Sequence, residues 1–276
     1  MTLDMKYEKL QSILKDLESV VIGFSGGVDS TFLLKVAKDT LGEDVLAITA
    51  RSSTYPEREF SEAKEYAKDL NAKHEVIVSE ELDIEGFSSN PIDRCYHCKN
   101  ELFSKIQKVA KEKGYKYVLD GSNLDDTGDY RPGMKAAKEL GVRSPLKEAE
   151  MTKEDIRELS KRFNLPTWNK PAFACLSSRF PYGNEITKDK LSMVEKAEEY
   201  IRTLGVIQVR VRHHENIARI EVDPKERKKF FDLDLMDNVG KALSDFGFAY
   251  ITLDVLGYRS GSMNEVLSEE EKEISQ

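Results

Sequence analysis

The sequence predicts an α/β fold: an open parallel sheet covered by helices on both faces, followed by a small α+β domain. Three observations carry that expectation. Short apolar runs alternate with helix-period segments up to about residue 170, the pattern of strand–helix–strand units in a parallel sheet. The three most unusual stretches, GFSGGVDST, TARSSTYPER and DGSNLDDTGDYRPG, each follow a predicted strand, and ligands gather at the carboxyl ends of strands in such sheets. After Pro171 the pattern changes to a loop of special residues, a helix and alternating strands. The expected division is therefore 1–170 for the sheet domain and 171–276 for the smaller one.

The elements follow in order. Strands are expected at Val20–Phe24, Val45–Thr49, His74–Val78 and Tyr117–Asp120, where apolar and β-branched residues cluster. Between and after them, Thr31–Leu41, Arg58–Leu70, Cys98–Lys113 and Lys153–Phe163 carry helical spacing. In the second half the loop PAFACLSSRFPYGNEIT leads into a helix at Lys188–Thr203. Strands at Ile207–Arg212 and Ala218–Val222 come next, then helices near Pro224–Phe231 and Met236–Phe246, then a strand at Tyr250–Leu256. The end, SEEEKEISQ, reads as an acidic solvated tail.

Composition narrows the class. The chain has 276 residues, 39% hydrophobic and 33% charged, with a formal net charge of -8. That balance suits a core-forming soluble protein and argues against a general nucleic-acid binder. No stretch approaches the ~18 apolar residues of a membrane helix, and the polar start MTLDMKYEKLQ does not read as a signal peptide. A cytoplasmic location is expected. Three cysteines in such a chain point to metal or redox chemistry rather than a disulfide framework.

In GFSGGVDST two glycines stand between strand and helix, where backbone must turn tightly and approach a ligand closely. Free N–H groups and the helix dipole then favour an anion. Ser25 and Ser30 add hydroxyls, and Asp29 is placed to hold a Mg²⁺ that bridges phosphates. A Walker lysine and the third glycine of a dinucleotide fingerprint are both absent. Ser25-Gly26-Gly27-Val28-Asp29-Ser30 instead resembles the PP-loop, SGGxDS, of the ATP pyrophosphatase superfamily. The resemblance implies ATP cleavage between the α and β phosphates, transfer of AMP to a carbonyl or carboxyl oxygen, and displacement of AMP by a nucleophile. Ala50 and Ser52 are expected near adenine, and Gly121 and Ser122 near the ribose or phosphates. One of Asp125, Asp126 and Asp129 is expected to serve Mg²⁺, with Asp126 the chosen candidate. Each of these supporting residues taken singly is equally well a turn former.

Cys95 and Cys98 form Cys-Tyr-His-Cys behind Asp93, a suitable helix N-cap. At i and i+3 both thiols lie on one helix face near the positive dipole end, which lowers thiol pKa. Cys175 lies some eighty residues on, in the loop that joins the two halves. A zinc site wants a fourth ligand; His97 turns to another face, and nothing marks out His74, His213 or His214. Three thiolates instead suit a 4Fe–4S cluster with one open iron that can bind an extra sulfide. The plain alternative is three unrelated small apolar residues.

Over nearly its whole length the chain resembles the LarE family: SGGVDS, DGSNLDDTGDYRPG, ACLSSRFPYG and VRVRHHENIARIEV occur in family order. These are ATP-dependent sulfur transferases that mature the nickel-pincer nucleotide cofactor of lactate racemase. The resemblance implies adenylation of a pyridinium-3,5-biscarboxylic acid mononucleotide and its conversion to thiocarboxylates. It implies one of two sulfur sources. Cys175 matches the position of a cysteine that gives up its own sulfur; Cys95 and Cys98 are the additions that mark the type with a 4Fe–4S cluster on three cysteines. The cluster type is the one expected here. Ser178 and Arg179 are expected to contact phosphate or carboxylate, and Arg210 and Arg212, alternate on a strand, to clamp the substrate's anions. Glu198 matches an acidic position near the family's site, although helix spacing alone suggests a solvated face. A small-molecule nucleotide substrate, a sulfide or other sulfur donor, and a homo-oligomer complete what the resemblance implies.

Three rival functions share parts of this pattern. A tRNA thiolase can also combine a PP-loop with three cysteines and a cluster, but it wants clustered Lys/Arg, and Lys225-Glu226-Arg227-Lys228-Lys229 is short. An amide-forming ligase has no use for the cysteines. A nucleotide or metal sensor without turnover would bind ATP without releasing pyrophosphate.

Overall fold

A computed structural model describes residues 1–128, 132–259 and 261–268. Asp129 and nearly all of the acidic tail lie outside the described residues. The chain forms two compact units. One comprises the described residues of Met1–Glu80 and Asp93–Phe173; the other comprises Glu81–Ile92 and the described residues from Ala174 on.

The first unit holds four parallel strands, β1 (Val20–Gly23), β2 (Val45–Arg51), β3 (Lys73–Val78) and β4 (Tyr117–Leu119), in the order β3-β2-β1-β4. Its helices are α1 (Leu3–Leu17), α2 (Val28–Leu41), α3 (Glu57–Asp69), α4 (Arg94–Lys113), α5 (Pro132–Glu139), α6 (Pro145–Glu148) and α7 (Lys153–Arg162). Successive strand residues face opposite sides, and here both sides are buried. Val20, Ile22, Val45 and Ala47 join a cluster with Leu10, Phe32, Leu33 and Ile156, whereas Val21, Leu46 and Ile48 pack with Phe103 and Ile106. A parallel sheet covered on both faces explains the unbroken apolar runs, and each fully buried Val, Leu or Ile contributes about 1.5–3 kcal/mol. The α/β class is as expected.

Helix α1 was not anticipated. Its signal is present in Leu10, Leu14 and Leu17, which recur at helical spacing and are all buried, with Thr2 accepting a hydrogen bond from the Met5 amide at 3.3 Å. Helix α4 starts at Arg94 rather than Cys98, so both cysteines lie in its first turns; Asp93 occupies the cap position, but its side chain makes no capping hydrogen bond. Helix α7 carries a reciprocal capping box: Thr152 Oγ1 accepts from the Asp155 amide at 3.2 Å, and Asp155 Oδ2 accepts from the Thr152 amide at 2.9 Å. Thr152→Ala should therefore lower stability by about 1 kcal/mol, measured as a shift of the denaturant midpoint at constant slope.

In the second unit, α8 (Lys188–Thr203) and α9 (Leu233–Asp245) accompany a mixed sheet of β5 (Val209–His214), β6 (Ile217–Val222) and β7 (Tyr250–Leu253). β5 and β6 are antiparallel, and β6 and β7 are parallel. β5 begins two residues later than expected, because the Ile207 and Gln208 amides donate to the Glu226 carboxylate instead of a strand, at 3.2 and 3.1 Å. The expected helix near Pro224–Phe231 is a 3-10 turn over Arg227–Phe231. β7 stops at Leu253, where Asp254 Oδ1 accepts from the Leu256 and Gly257 amides and turns the chain.

Candidate functional site

In the first unit β1 lies between β2 and β4, so the loops after these three strands are neighbours at one sheet edge. GFSGGVDST forms the turn from β1 into α2, with Gly27 at the N-cap. Ser25 and Ser30 meet across it: Ser30 Oγ accepts from the Ser25 amide at 3.3 Å and lies 3.2 Å from Ser25 Oγ. Gly26 has a φ of 61°, and a Cβ there would stand 2.9 Å from the Ala63 Cα on α3. A Cβ on Gly121, after β4, would stand 3.1 Å from the Ser30 amide nitrogen. Both glycines thus serve close approach of a loop to a helix, Gly26 to α3 and Gly121 to the first turn of α2.

The acidic candidates have internal partners. Asp29 pairs with Lys153 and accepts from Asn123 Nδ2 at 3.2 Å. Asp126 accepts from the Asn123 amide at 2.9 Å, and Asp125 from the Lys153 amide at 2.7 Å. Ser122 donates through its hydroxyl to Asp120 at 2.8 Å. At the end of β2, Ala50 is half-buried and Ser52 Oγ lies 3.1 Å from Thr54 Oγ1. Lys153 is not among the candidates read from the sequence. Lys153 is one cation among many, and only its spatial meeting with Asp29 marks it.

A second set of partners lies beneath the loop. Thr49 Oγ1 donates to the Phe24 carbonyl at 2.8 Å and therefore accepts from His74 Nε2 at the same distance. That requires a protonated Nε2, and burial first, then Lys64, lowers the His74 pKa and favours the neutral ring. Tyr55 Oη donates to the Ser25 carbonyl at 2.7 Å. Lys170 Nζ donates to the Gly26 carbonyl at 3.2 Å and pairs with Glu59 and Glu62, each at 2.7 Å.

In the second unit, Cys175 immediately precedes a 3-10 turn, Leu176–Arg179. Arg179, only 1% exposed, turns inward. Its Nη1 donates to the carbonyls of Ala174 and, at 2.8 Å, Cys175, while Nε and Nη2 grip the two Glu198 oxygens at 2.8 and 2.9 Å. Glu198 also accepts from Arg202 at 3.1 Å and from the Val211 amide at 3.0 Å. Burial alone would raise its pKa, but Arg179 and then Arg210 and Arg202 hold it down to about 2. The spacing that suggested a solvated face misread Glu198, which lies on the buried face of α8 with Leu191, Val194 and Ile201. Arg179 thus meets a carboxylate, that of the protein itself.

Arg210 and Arg212 are both buried on β5. Arg210 lies over the Tyr258 ring at 5.2 Å, and burial, then the neighbouring Arg179 guanidinium, lowers its pKa to about 10. Arg212 donates to the Ser178 carbonyl at 2.8 Å and to Glu221 at 2.7 Å. Its Nε is buried with no partner among the described residues. Ser178 Oγ donates to the Cys175 carbonyl at 2.8 Å. His213 stacks against Phe180 at 5.1 Å, which accounts for it without metal.

Cys95 is exposed and Cys98 half-buried, in the first unit; half-buried Cys175 belongs to the second. Among the described residues, no group of three or more His, Cys, Asp or Glu side chains is assembled to hold a metal ion. The same residues include no helix long and apolar enough to cross a membrane.

The family model described as NAD synthase matches residues 7–107, which contain the glycine loop. The pyridinium-3,5-bisthiocarboxylic acid mononucleotide synthase of Lactiplantibacillus plantarum is 43% identical over 97% of this chain and 96% of its own length. The chain belongs to the LarE family. It is thus an enzyme of the PP-loop ATP pyrophosphatase type, for which ATP is the nucleotide. Two further proteins are similar to this chain across nearly its full length. An uncharacterized protein of Synechocystis is 46% identical over 96% of this chain and 99% of its own. Another, of Methanocaldococcus jannaschii, is 31% identical over 92% and 98%.

Proposed function

We propose that this chain is an ATP-dependent sulfur transferase of nickel-pincer cofactor synthesis that adenylates pyridinium-3,5-biscarboxylic acid mononucleotide and converts it to a thiocarboxylate. The observation that carries this reading is near-full-length similarity to a protein named for the bisthiocarboxylic product. A carboxylate oxygen of the substrate attacks the α phosphorus of ATP, the bond to the β-phosphate oxygen breaks, and pyrophosphate leaves. A sulfur nucleophile then attacks the acyl carbon and AMP leaves with the bonding pair. Gly26, Gly27, Ser25 and Ser30 bind the phosphates, with Ala50, Ser52, Gly121, Ser122 and Asp126 around the nucleotide. Asp29 would hold the Mg²⁺ of Mg–ATP, exchanging Lys153 for the ion. Arg210 and Arg212 bind the substrate's anionic groups; the Arg212 Nε, without a partner among the described residues, is a buried donor suited to that task. Ser178 and Arg179 order the Cys175 segment beside them, and Glu198 fixes Arg179.

The cysteines are the donor set that fits a 4Fe–4S cluster by chemistry: all soft thiols, two of them one helical turn apart near the start of α4. Cys95, Cys98 and Cys175 would hold it, and when bound it would supply sulfide to the acyl adenylate. A second reading has a specific observation in its favour, the hold of Arg179 and Ser178 on the Cys175 carbonyl. There the Cys175 thiolate displaces AMP to form a thioester. Loss of the Cys175 α proton and cleavage of its Cβ–Sγ bond then leave dehydroalanine on the chain and thiocarboxylate on the product.

The deciding experiment is iron and acid-labile sulfide analysis of protein purified without oxygen, with the mass of the chain taken before and after one turnover. About four irons per chain, lost in each single Cys→Ser variant, supports the cluster. No iron after reconstitution, with a mass loss of one H₂S, supports sacrifice of Cys175. Under both readings Cys175→Ser should abolish thiocarboxylate formation while substrate-dependent pyrophosphate release continues. Pyrophosphate release driven by tRNA in place of the small carboxylate would sink the whole assignment.

A further inference from the structure

Four consecutive carbonyls in the β1–α2 turn each have a donor. Phe24 O accepts from Thr49 at 2.8 Å, Ser25 O from Tyr55 at 2.7 Å and Gly26 O from Lys170 at 3.2 Å. Gly27 O accepts from the Thr31 amide at 3.0 Å, the first hydrogen bond of α2. In a planar trans peptide the C=O of one residue and the N–H of the next point in opposite directions. A donor that holds Ser25 O on one side of the loop therefore turns the Gly26 N–H to the other, and a donor on Gly26 O does the same for Gly27. Those two N–H groups have no hydrogen-bond partner among the described residues.

We propose that Tyr55 and Lys170 are positioning residues of the phosphate loop: by holding the Ser25 and Gly26 carbonyls they aim the Gly26 and Gly27 N–H groups at the β and γ phosphates of ATP. This rests on the ATP site described above. Glycine gives these peptides freedom to rotate, which a phosphate cradle cannot tolerate; each flip would replace a donor by an acceptor facing an anion. The two holders are themselves fixed. The Tyr55 ring packs edge-on to Phe173, with centroids 5.4 Å apart. Lys170 is clamped by Glu59 and Glu62, lies 5.3 Å from the Tyr66 ring centre, and has its own carbonyl held by Arg157 at 2.9 Å. Lys170 has a second effect, since it offsets the negative charge of Glu59 and Glu62, which would otherwise oppose an anion on the loop.

The test compares ATP and adenosine binding by calorimetry on wild type, Tyr55→Phe, Lys170→Met and Lys170→Arg, each with its melting temperature. Tyr55→Phe removes one hydroxyl from a packed ring and should melt like wild type. Its affinity for ATP should fall about tenfold, the order of one well-placed hydrogen bond, while its affinity for adenosine stays unchanged. Lys170→Met should lose more, and Lys170→Arg should recover part of it. Equal loss of ATP and adenosine affinity in Tyr55→Phe, or no loss of either, would overturn the positioning role. A wild-type protein that does not bind ATP would overturn the nucleotide assignment itself, a separate outcome read from the same titration.

Discussion

Replacing Glu198 by alanine should cost about 3–5 kcal/mol of stability, the range for leaving a buried charge without its partner. Arg179 is buried and both its Nε and Nη2 donate to this carboxylate. Arg210 is also buried and has its charge partly balanced by Glu198, so two buried guanidiniums lose support together. A loss of that size is a large share of the ~5–15 kcal/mol that holds a domain folded. Equilibrium denaturation of wild type, Glu198→Ala and Glu198→Gln measures it. The pH dependence has a definite sign. The folded pKa of about 2 lies below the unfolded carboxylate value near ~4.3, so the stabilisation is present in full above about pH 5. It is lost as pH falls through ~4 toward 2. The stability gap between wild type and Glu198→Gln should therefore narrow over that interval. A gap under 1 kcal/mol at pH 7 would show that water or another group takes over the role of the carboxylate.

Gly26→Ala and Gly27→Ala should separate folding from nucleotide binding. At Gly26 the backbone is left-handed, which costs an alanine roughly 1–2 kcal/mol, and the new Cβ would meet the Ala63 Cα and Cβ at 2.9 Å. Helix α3 must then move, and Tyr55, just before it, moves off the Ser25 carbonyl. The expected result is a lower melting temperature and loss of ATP binding by more than about tenfold, or 1.4 kcal/mol. At Gly27 the backbone suits any residue, with φ -79° and ψ 171°, and a Cβ would lie 3.4 Å from Ser25 Oγ. Gly27→Ala should fold as well as wild type and lose ATP-dependent pyrophosphate release, because the methyl occupies ligand space. If both variants melt like wild type and bind ATP, the loop is a structural turn only.

Much of the fold was legible because parallel sheets leave a strong local record: unbroken apolar strands, helical spacing between them and glycine at the turn. Misplaced boundaries have local causes of another kind. β5 starts late because Glu226, distant in sequence, takes two amides. Helix α1, absent from the expected elements, has its period in Leu10, Leu14 and Leu17. Glu198 is the instructive case. Its neighbours Leu191, Val194 and Ile201 mark a buried face, and a carboxylate on that face can exist only with cations brought from elsewhere.

The sequence by itself determined the chemistry on offer: a glycine turn behind a strand, an acidic residue within it, three thiols, and two arginines alternating on one strand. These are local patterns, and residue type with spacing decides them. Tertiary structure decided who holds whom. Lys153 with Asp29, Lys170 under the Gly26 carbonyl, Tyr55 under the Ser25 carbonyl, and Glu198 between Arg179 and Arg202 are contacts made by charged or hydroxyl side chains. All but the Arg202 contact join residues far apart in the chain. Many lysines, arginines and carboxylates share the same formal charge, so no local pattern says which will meet. Only the packing of strands and helices selects the partners, since burial is what makes an unpaired charge too costly to keep.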